Sequence, residues 1–165
     1  MTAEMGEYLV GAYLELFEGC EIISYNVRSR DKGIRGMGEL DVIGLNLKKN
    51  TAFLCEVVTH LRGPLYSGGR EKTVRRIFNK YENQKKFAKK YLGNFSKIHF
   101  QLWSPSVSKI YVDSFGKKRG LELVINQDYS KCINELRDAA KRSTKNTGNP
   151  AYRVLQILEH KREVS

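Results

Sequence analysis

From Gly38 to Val58 the chain sets two apolar stretches on either side of a short polar break. Val42, Ile43, Leu45 and Leu47 give the first stretch apolar, partly β-branched bulk. Asn46 interrupts that run, and Lys48, Lys49 and Asn50 form a polar turn that favours a hairpin. Ala52, Phe53, Leu54, Val57 and Val58 make the second stretch almost wholly apolar, the pattern of a strand covered on both faces of its sheet.

Helical periodicity appears on both sides of this pair. Met5, Leu9, Ala12, Tyr13, Leu16 and Phe17 predict a helix over 2–18, with Thr2 as its cap and Gly19 as its stop. Ile22, Ile23, Tyr25 and Val27 predict a first strand over 20–29. Val74, Ile77, Phe78, Tyr81, Ala88, Tyr91 and Leu92 mark the clearest helix, 71–92, closed by Gly93 and Asn94. The segments 97–104, 107–115 and 121–126 are predicted as three further strands, joined at Ser104-Pro105-Ser106 and at a basic turn over 116–120. Trp103, among Ile98, Phe100 and Leu102, reads as core. A helix over 126–143 follows. The last helix, 150–161, opens with Asn149 as cap and Pro150 in its first position. No internal repeat is visible. The 165 residues read as one domain, a core over about 6–126 followed by C-terminal helices over 127–162.

Charge narrows the classes of partner. Lys plus Arg number 29 against 18 Asp plus Glu, a net charge of +11, with a pI near 9.6. That balance favours a polyanion, and nucleic acid is the usual one, although an acidic membrane or ribosomal RNA also fits. No segment approaches the ~20 consecutive apolar residues of a membrane span. The first residues are acidic and lack the basic start and apolar run of a signal peptide. Three well-separated cysteines (Cys20, Cys55 and Cys132) suggest neither a disulfide framework nor a zinc cluster. A cytoplasmic location is the expectation.

The candidate chemistry lies in the paired strands. Asp41 and Glu56 stand inside apolar runs, where a carboxylate is costly unless it is paired, hydrogen-bonded or metal-bound. Two on neighbouring strands could converge on one hard cation; alternatively, each lies at a strand end and meets water or an arginine. Glu7 could point at these strands or simply be solvated near a helix N-terminus. His60, four residues after Glu56, is either a ligand to metal or water or a hydrogen-bonded structural residue. Lys80 and Gln84, one turn apart, both could face the strands. Arg28, Arg30 and Arg35 belong to a basic glycine-containing loop leading into the first carboxylate strand, Arg70 to the end of the glycine- and proline-containing loop after the second, and Arg76 to the basic helix. With Lys80, these cations are the candidate nucleic-acid contacts.

The order helix, strand, strand, strand, helix, strand, with acids on consecutive strands, resembles the PD-(D/E)XK nuclease superfamily. Within it the chain is most similar to the YraN-like group (uncharacterised family 0102), with the archaeal Holliday-junction resolvases next. The resemblance covers about residues 6–92. It rests on Gly6-Glu7 with Tyr13-Leu14-Glu15, Asn26-Val27-Arg28, Gly38-Glu39-Leu40-Asp41-Val42-Ile43, Phe53-Leu54-Cys55-Glu56-Val57, and Lys80 with Ala88-Lys89-Lys90-Tyr91-Leu92. It implies an α/β, restriction-endonuclease-like three-layer fold, with a central mixed sheet flanked by helices. It also implies Mg²⁺- or Mn²⁺-dependent hydrolysis of DNA phosphodiester bonds, in repair, recombination or restriction. Asp41, Glu56 and the Val57 carbonyl would be metal ligands, with Glu7 helping to hold the metal or its water. Resolvase-like enzymes work as dimers, so a homodimer is one reading of the apolar helix 150–161; the other is that this helix closes the chain's own core.

The superfamily pattern places a lysine two residues after the second acid, and here that residue is Val58. Three readings follow. Lys80, which matches a lysine of the corresponding helix in the YraN-like group, supplies the ammonium. His60 substitutes for it. Or the chain has kept the fold and its basic groove while losing cleavage, and binds nucleic acid as part of a larger complex.

Overall fold

The structure, a computed structural model, describes residues 2–28, 38–61, 66 and 68–163, the last three by their backbone. The predicted contacts Arg30 and Arg35 lie outside the described residues. The elements run α1 (Met5–Leu16), β1 (Ile22–Arg28), β2 (Glu39–Asn46), β3 (Thr51–Val57), α2 (Gly69–Tyr91), β4 (Lys97–Ser104), α3 (Lys109–Phe115), β5 (Leu121–Ile125), α4 (Gln127–Arg142) and α5 (Pro150–Glu163). The fold is α/β. One mixed sheet in the order β1-β2-β3-β4-β5 lies between two layers of helix.

The layers follow from the alternation of side chains along β2 and β3. Val42, Phe53 and Cys55 pack with Val10 and Leu14 of α1 and Tyr129 of α4 on one face. Ile43 and Leu54 pack with Phe87 and Ala88 of α2 on the other. α3 joins that second layer through Tyr111 and Phe115. α5 completes the first by packing Tyr152 against Ala12, Leu136 and Ala140. β3, at the centre, is buried from Thr51 to Glu56, as its apolar run requires.

The hairpin forms where the polar break predicts it. β2 and β3 pair antiparallel from Asn46↔Thr51 to Val42↔Cys55, and Asn50 takes the left-handed φ of 51° that asparagine tolerates. Asn46, which interrupts the apolar run, is a buried clamp. Its Nδ2 donates to the Glu18 carbonyl at 2.7 Å and its Oδ1 accepts from the Lys49 amide at 2.8 Å. Trp103 is core as expected, with its indole N–H donating to Gln101 Oε1 at 2.9 Å.

Two expectations are corrected. The segment 107–115, predicted as a strand from its Ile, Tyr and Val content, contains helix α3. β4 and β5 pair parallel, and parallel neighbours need a crossover rather than a tight turn. α3 supplies it, burying Tyr111 and Phe115 at i and i+4. At the N-terminus, Glu4 rather than Thr2 caps α1, in a reciprocal capping box with Glu7. At the other end of the chain, Asn149 caps α5 as expected, its Oδ1 accepting from the Tyr152 amide at 3.1 Å. Among the described residues no helix is long and apolar enough to cross a membrane.

Candidate active site

One step beyond the last ladder pair of the hairpin, Val42↔Cys55, the same register sets Asp41 opposite Glu56. Asp41 lies two residues before Ile43 and Glu56 two after Leu54, so both carboxylates point to the face covered by α2. Both are buried, with exposures of 9% and 5%. Like charges directly across a ladder destabilise it, and burial adds to that cost.

The Glu56 carboxyl is pushed up to about 8, first by burial and then by the negative charge of Asp41. Lys80 of α2 opposes this. Its Nζ lies 3.1 Å from Glu56 Oε2 and 3.5 Å from Asp41 Oδ1, and donates to the Glu39 carbonyl at 3.2 Å. An ion pair alone would lower Glu56, so burial and Asp41 outweigh the ammonium. Burial would likewise lower Lys80, but the two carboxylates outweigh it and hold the ammonium above the ordinary lysine value. With both acids ionised, the trio carries one net negative charge.

Each acid has a further donor. The Val57 amide donates to Asp41 Oδ2 at 2.9 Å, which ties the end of β3 to β2. The Tyr66 hydroxyl donates to Glu56 Oε1 at 3.2 Å, and the Arg76 guanidinium lies over the Tyr66 ring, 3.9 Å from its centre. Burial and then the charge of Glu56 push the Tyr66 hydroxyl well above its ordinary range, so it keeps its proton and donates the hydrogen bond to Glu56 Oε1. Sequence reasoning missed Tyr66. Its only signal is one aromatic residue within the glycine- and proline-rich stretch that follows β3.

These groups open onto a cavity of about 390 Å³. Glu7, His60 and Thr59 also line it. Glu7 is 8% exposed, and its Oε2 accepts from the Glu4 amide at 3.0 Å. Burial raises its carboxyl, with Asp41 adding to the rise while the Glu4 amide pulls it down. α1 reaches this position because Gly6 lies against Thr59, where a Cβ would stand only 2.0 Å from the threonine methyl. Val58 is buried in the apolar cluster with Ile77 and Leu102, so the site's ammonium comes from α2.

The remaining candidates divide. Arg76 lines the cavity. Arg70 instead donates to Ser114 Oγ at 2.9 Å, in the groove between α2 and α3. Arg28 forms an exposed 2.7 Å ion pair with Glu39. Gln84 faces inward and is almost wholly buried, but does not line the cavity.

A divalent cation fits the donor set. Two carboxylates share a buried site, and a cation between them would offset the burial and the like charge that raise the Glu56 pKa. Among the described residues no three His, Cys, Asp or Glu side chains form a metal-holding group. The side chains that would hold the cation are Asp41 and Glu56, with Glu7 lining the same cavity and backbone and water completing the shell, as Mg²⁺ commonly accepts. Compared with family models, curated proteins and solved structures, the chain matches none.

Proposed function

We propose that this protein is a Mg²⁺- or Mn²⁺-dependent endonuclease that hydrolyses DNA phosphodiester bonds, a member of the PD-(D/E)XK kind in which the motif lysine has moved to α2. The observation that carries this reading is the convergence of Asp41, Glu56 and the Lys80 ammonium at one cavity. The net charge of +11 supports a polyanionic substrate.

In this reading Asp41 and Glu56 hold the cation. When bound, it lowers the pKa of a coordinated water and offsets charge growing on the phosphate. Tyr66 fixes the rotamer of Glu56 through its 3.2 Å hydrogen bond. Lys80 and Arg76, both on the cavity wall, present positive charge to the scissile phosphate and the attacking water. Asp41→Asn tests the reading: metal-dependent cleavage disappears and DNA binding remains. Cleavage retained by that variant would sink it.

A second reading has its own observation. Where the motif lysine is expected, Val58 is packed in the core, while Lys80 already pairs with both carboxylates. A nuclease-fold protein that binds nucleic acid without cutting it would have this arrangement. It predicts salt-dependent binding and no metal-dependent turnover.

A further inference from the structure

The basic surface of α2 is organised into a path. Three cavities follow one another around the helix. The first, at the carboxylates, is bounded on the α2 side by Arg76 and Lys80. The second, about 330 Å³, shares those two residues and adds Lys72, Arg75 and Asn79. The third, about 610 Å³, shares Arg75 and Asn79 with the second and reaches Arg70, Phe78 and Ser114 in the groove against α3, with Glu71 as its one acid among the described residues.

At about 100° per residue, Arg76 and Phe78 lie roughly 160° apart around α2. A chain running from the first cavity to the third therefore crosses the outward face of the helix, bending around a cylinder about 10–12 Å across. Duplex DNA, with a persistence length of about 150 base pairs, cannot follow that curvature. A single strand can, and cationic grooves that track the backbone are how single strands are held. Lys72 and Arg75 stand exposed at the crossing.

We propose that α2 leads a single-stranded nucleic-acid segment away from the carboxylate site, with Lys72 and Arg75 contacting its phosphates and the α2–α3 groove receiving its distal end. The proposal rests on the nucleic-acid reading of the site and adds the form of the substrate: a single strand or single-stranded flank rather than blunt duplex.

The test is fluorescence anisotropy of a labelled single-stranded oligonucleotide and a blunt duplex of equal length, in EDTA so that cleavage plays no part. Lys72→Gln/Arg75→Gln is compared with Lys86→Gln/Lys89→Gln, two exposed α2 cations outside the three cavities. The first pair should weaken single-strand binding roughly 25-fold at ~0.1 M salt and flatten its log–log salt slope by about 1.4. The second pair should leave binding within about threefold. Duplex binding should respond alike to both pairs. Equal single-strand losses from the two pairs, an equally selective loss on duplex, or no single-strand binding by the wild type would each overturn the path. Cleavage is read separately, with the wild type in Mg²⁺: wild-type cleavage with equal losses sinks the path alone. Selective losses with no cleavage sink the nuclease reading alone.

Discussion

The Lys80 ammonium stands 3.1 Å from the Glu56 carboxylate, joining α2 to the central strand where two acids would otherwise face each other uncompensated. The same ammonium reaches Asp41 at 3.5 Å and the Glu39 carbonyl at 3.2 Å. It occupies the electrostatic place that a divalent cation would also take.

Lys80→Met should therefore act in two directions. Without metal, and above about pH 8 where Glu56 is ionised, it leaves two buried carboxylates and should cost about 3–5 kcal/mol. With the ammonium gone, a divalent cation meets less repulsion, and Mn²⁺ should bind roughly tenfold or more tightly by calorimetry. Weaker binding in Lys80→Met would mean that Lys80 assists the metal rather than competing with it.

Glu56 gives the metal-free protein a pH signature. Its folded pKa, about 8, lies above its unfolded value, so it favours the folded state most below about pH 4.5, and that contribution is lost as pH rises through about 8. Glu7 and Glu15, also raised by burial, act in the same direction. Glu56→Gln keeps an acceptor for Tyr66 and removes the titration. In EDTA its melting temperature should gain on the wild type between pH 5 and 8 by several degrees and run parallel above that. Parallel curves throughout would show that Glu56 titrates normally.

Tyr66→Phe removes the hydroxyl that holds Glu56 and keeps the ring beneath Arg76. Outer partners of this kind are worth about 10–100-fold in metal affinity or activity. A loss of that size in Mn²⁺ affinity, with little change in DNA binding, is the expected result; an unchanged Mn²⁺ affinity would remove Tyr66 from the site.

Gly6→Ala should cost about 1–3 kcal/mol by overpacking, because the new methyl falls 2.0 Å from Thr59 Cγ2. Thr59→Ser deletes that methyl and should recover part of the loss, measured by urea unfolding. No recovery would mean that the contact is relieved elsewhere.

How legible all this is in the sequence depends on whether the signal is local. The β2–β3 hairpin reads directly, because Asn46 and the polar turn mark it and the apolar runs admit few alternatives. The convergence of Asp41 with Glu56 follows from that register. Lys80 lies 24 positions beyond Glu56, and its place at the site rests on how α2 docks, which the stripe of Ile77 and Tyr81 only implies. α3 is misread because Ile110, Tyr111 and Val112 favour a strand locally. The parallel pairing of β4 with β5, which demands a crossover there, is a property of the whole sheet. Tyr66 belongs to no periodic element, and only the folded chain brings it to Glu56.

The central claim is best tested by incubating labelled duplex, single-stranded and four-way-junction DNA with the wild type and with Asp41→Asn, in Mg²⁺, Mn²⁺ or EDTA. The nuclease reading predicts wild-type cleavage that needs metal and disappears in Asp41→Asn while that variant still binds DNA. Binding without cleavage on every substrate, or cleavage that survives in EDTA or in Asp41→Asn, would contradict it.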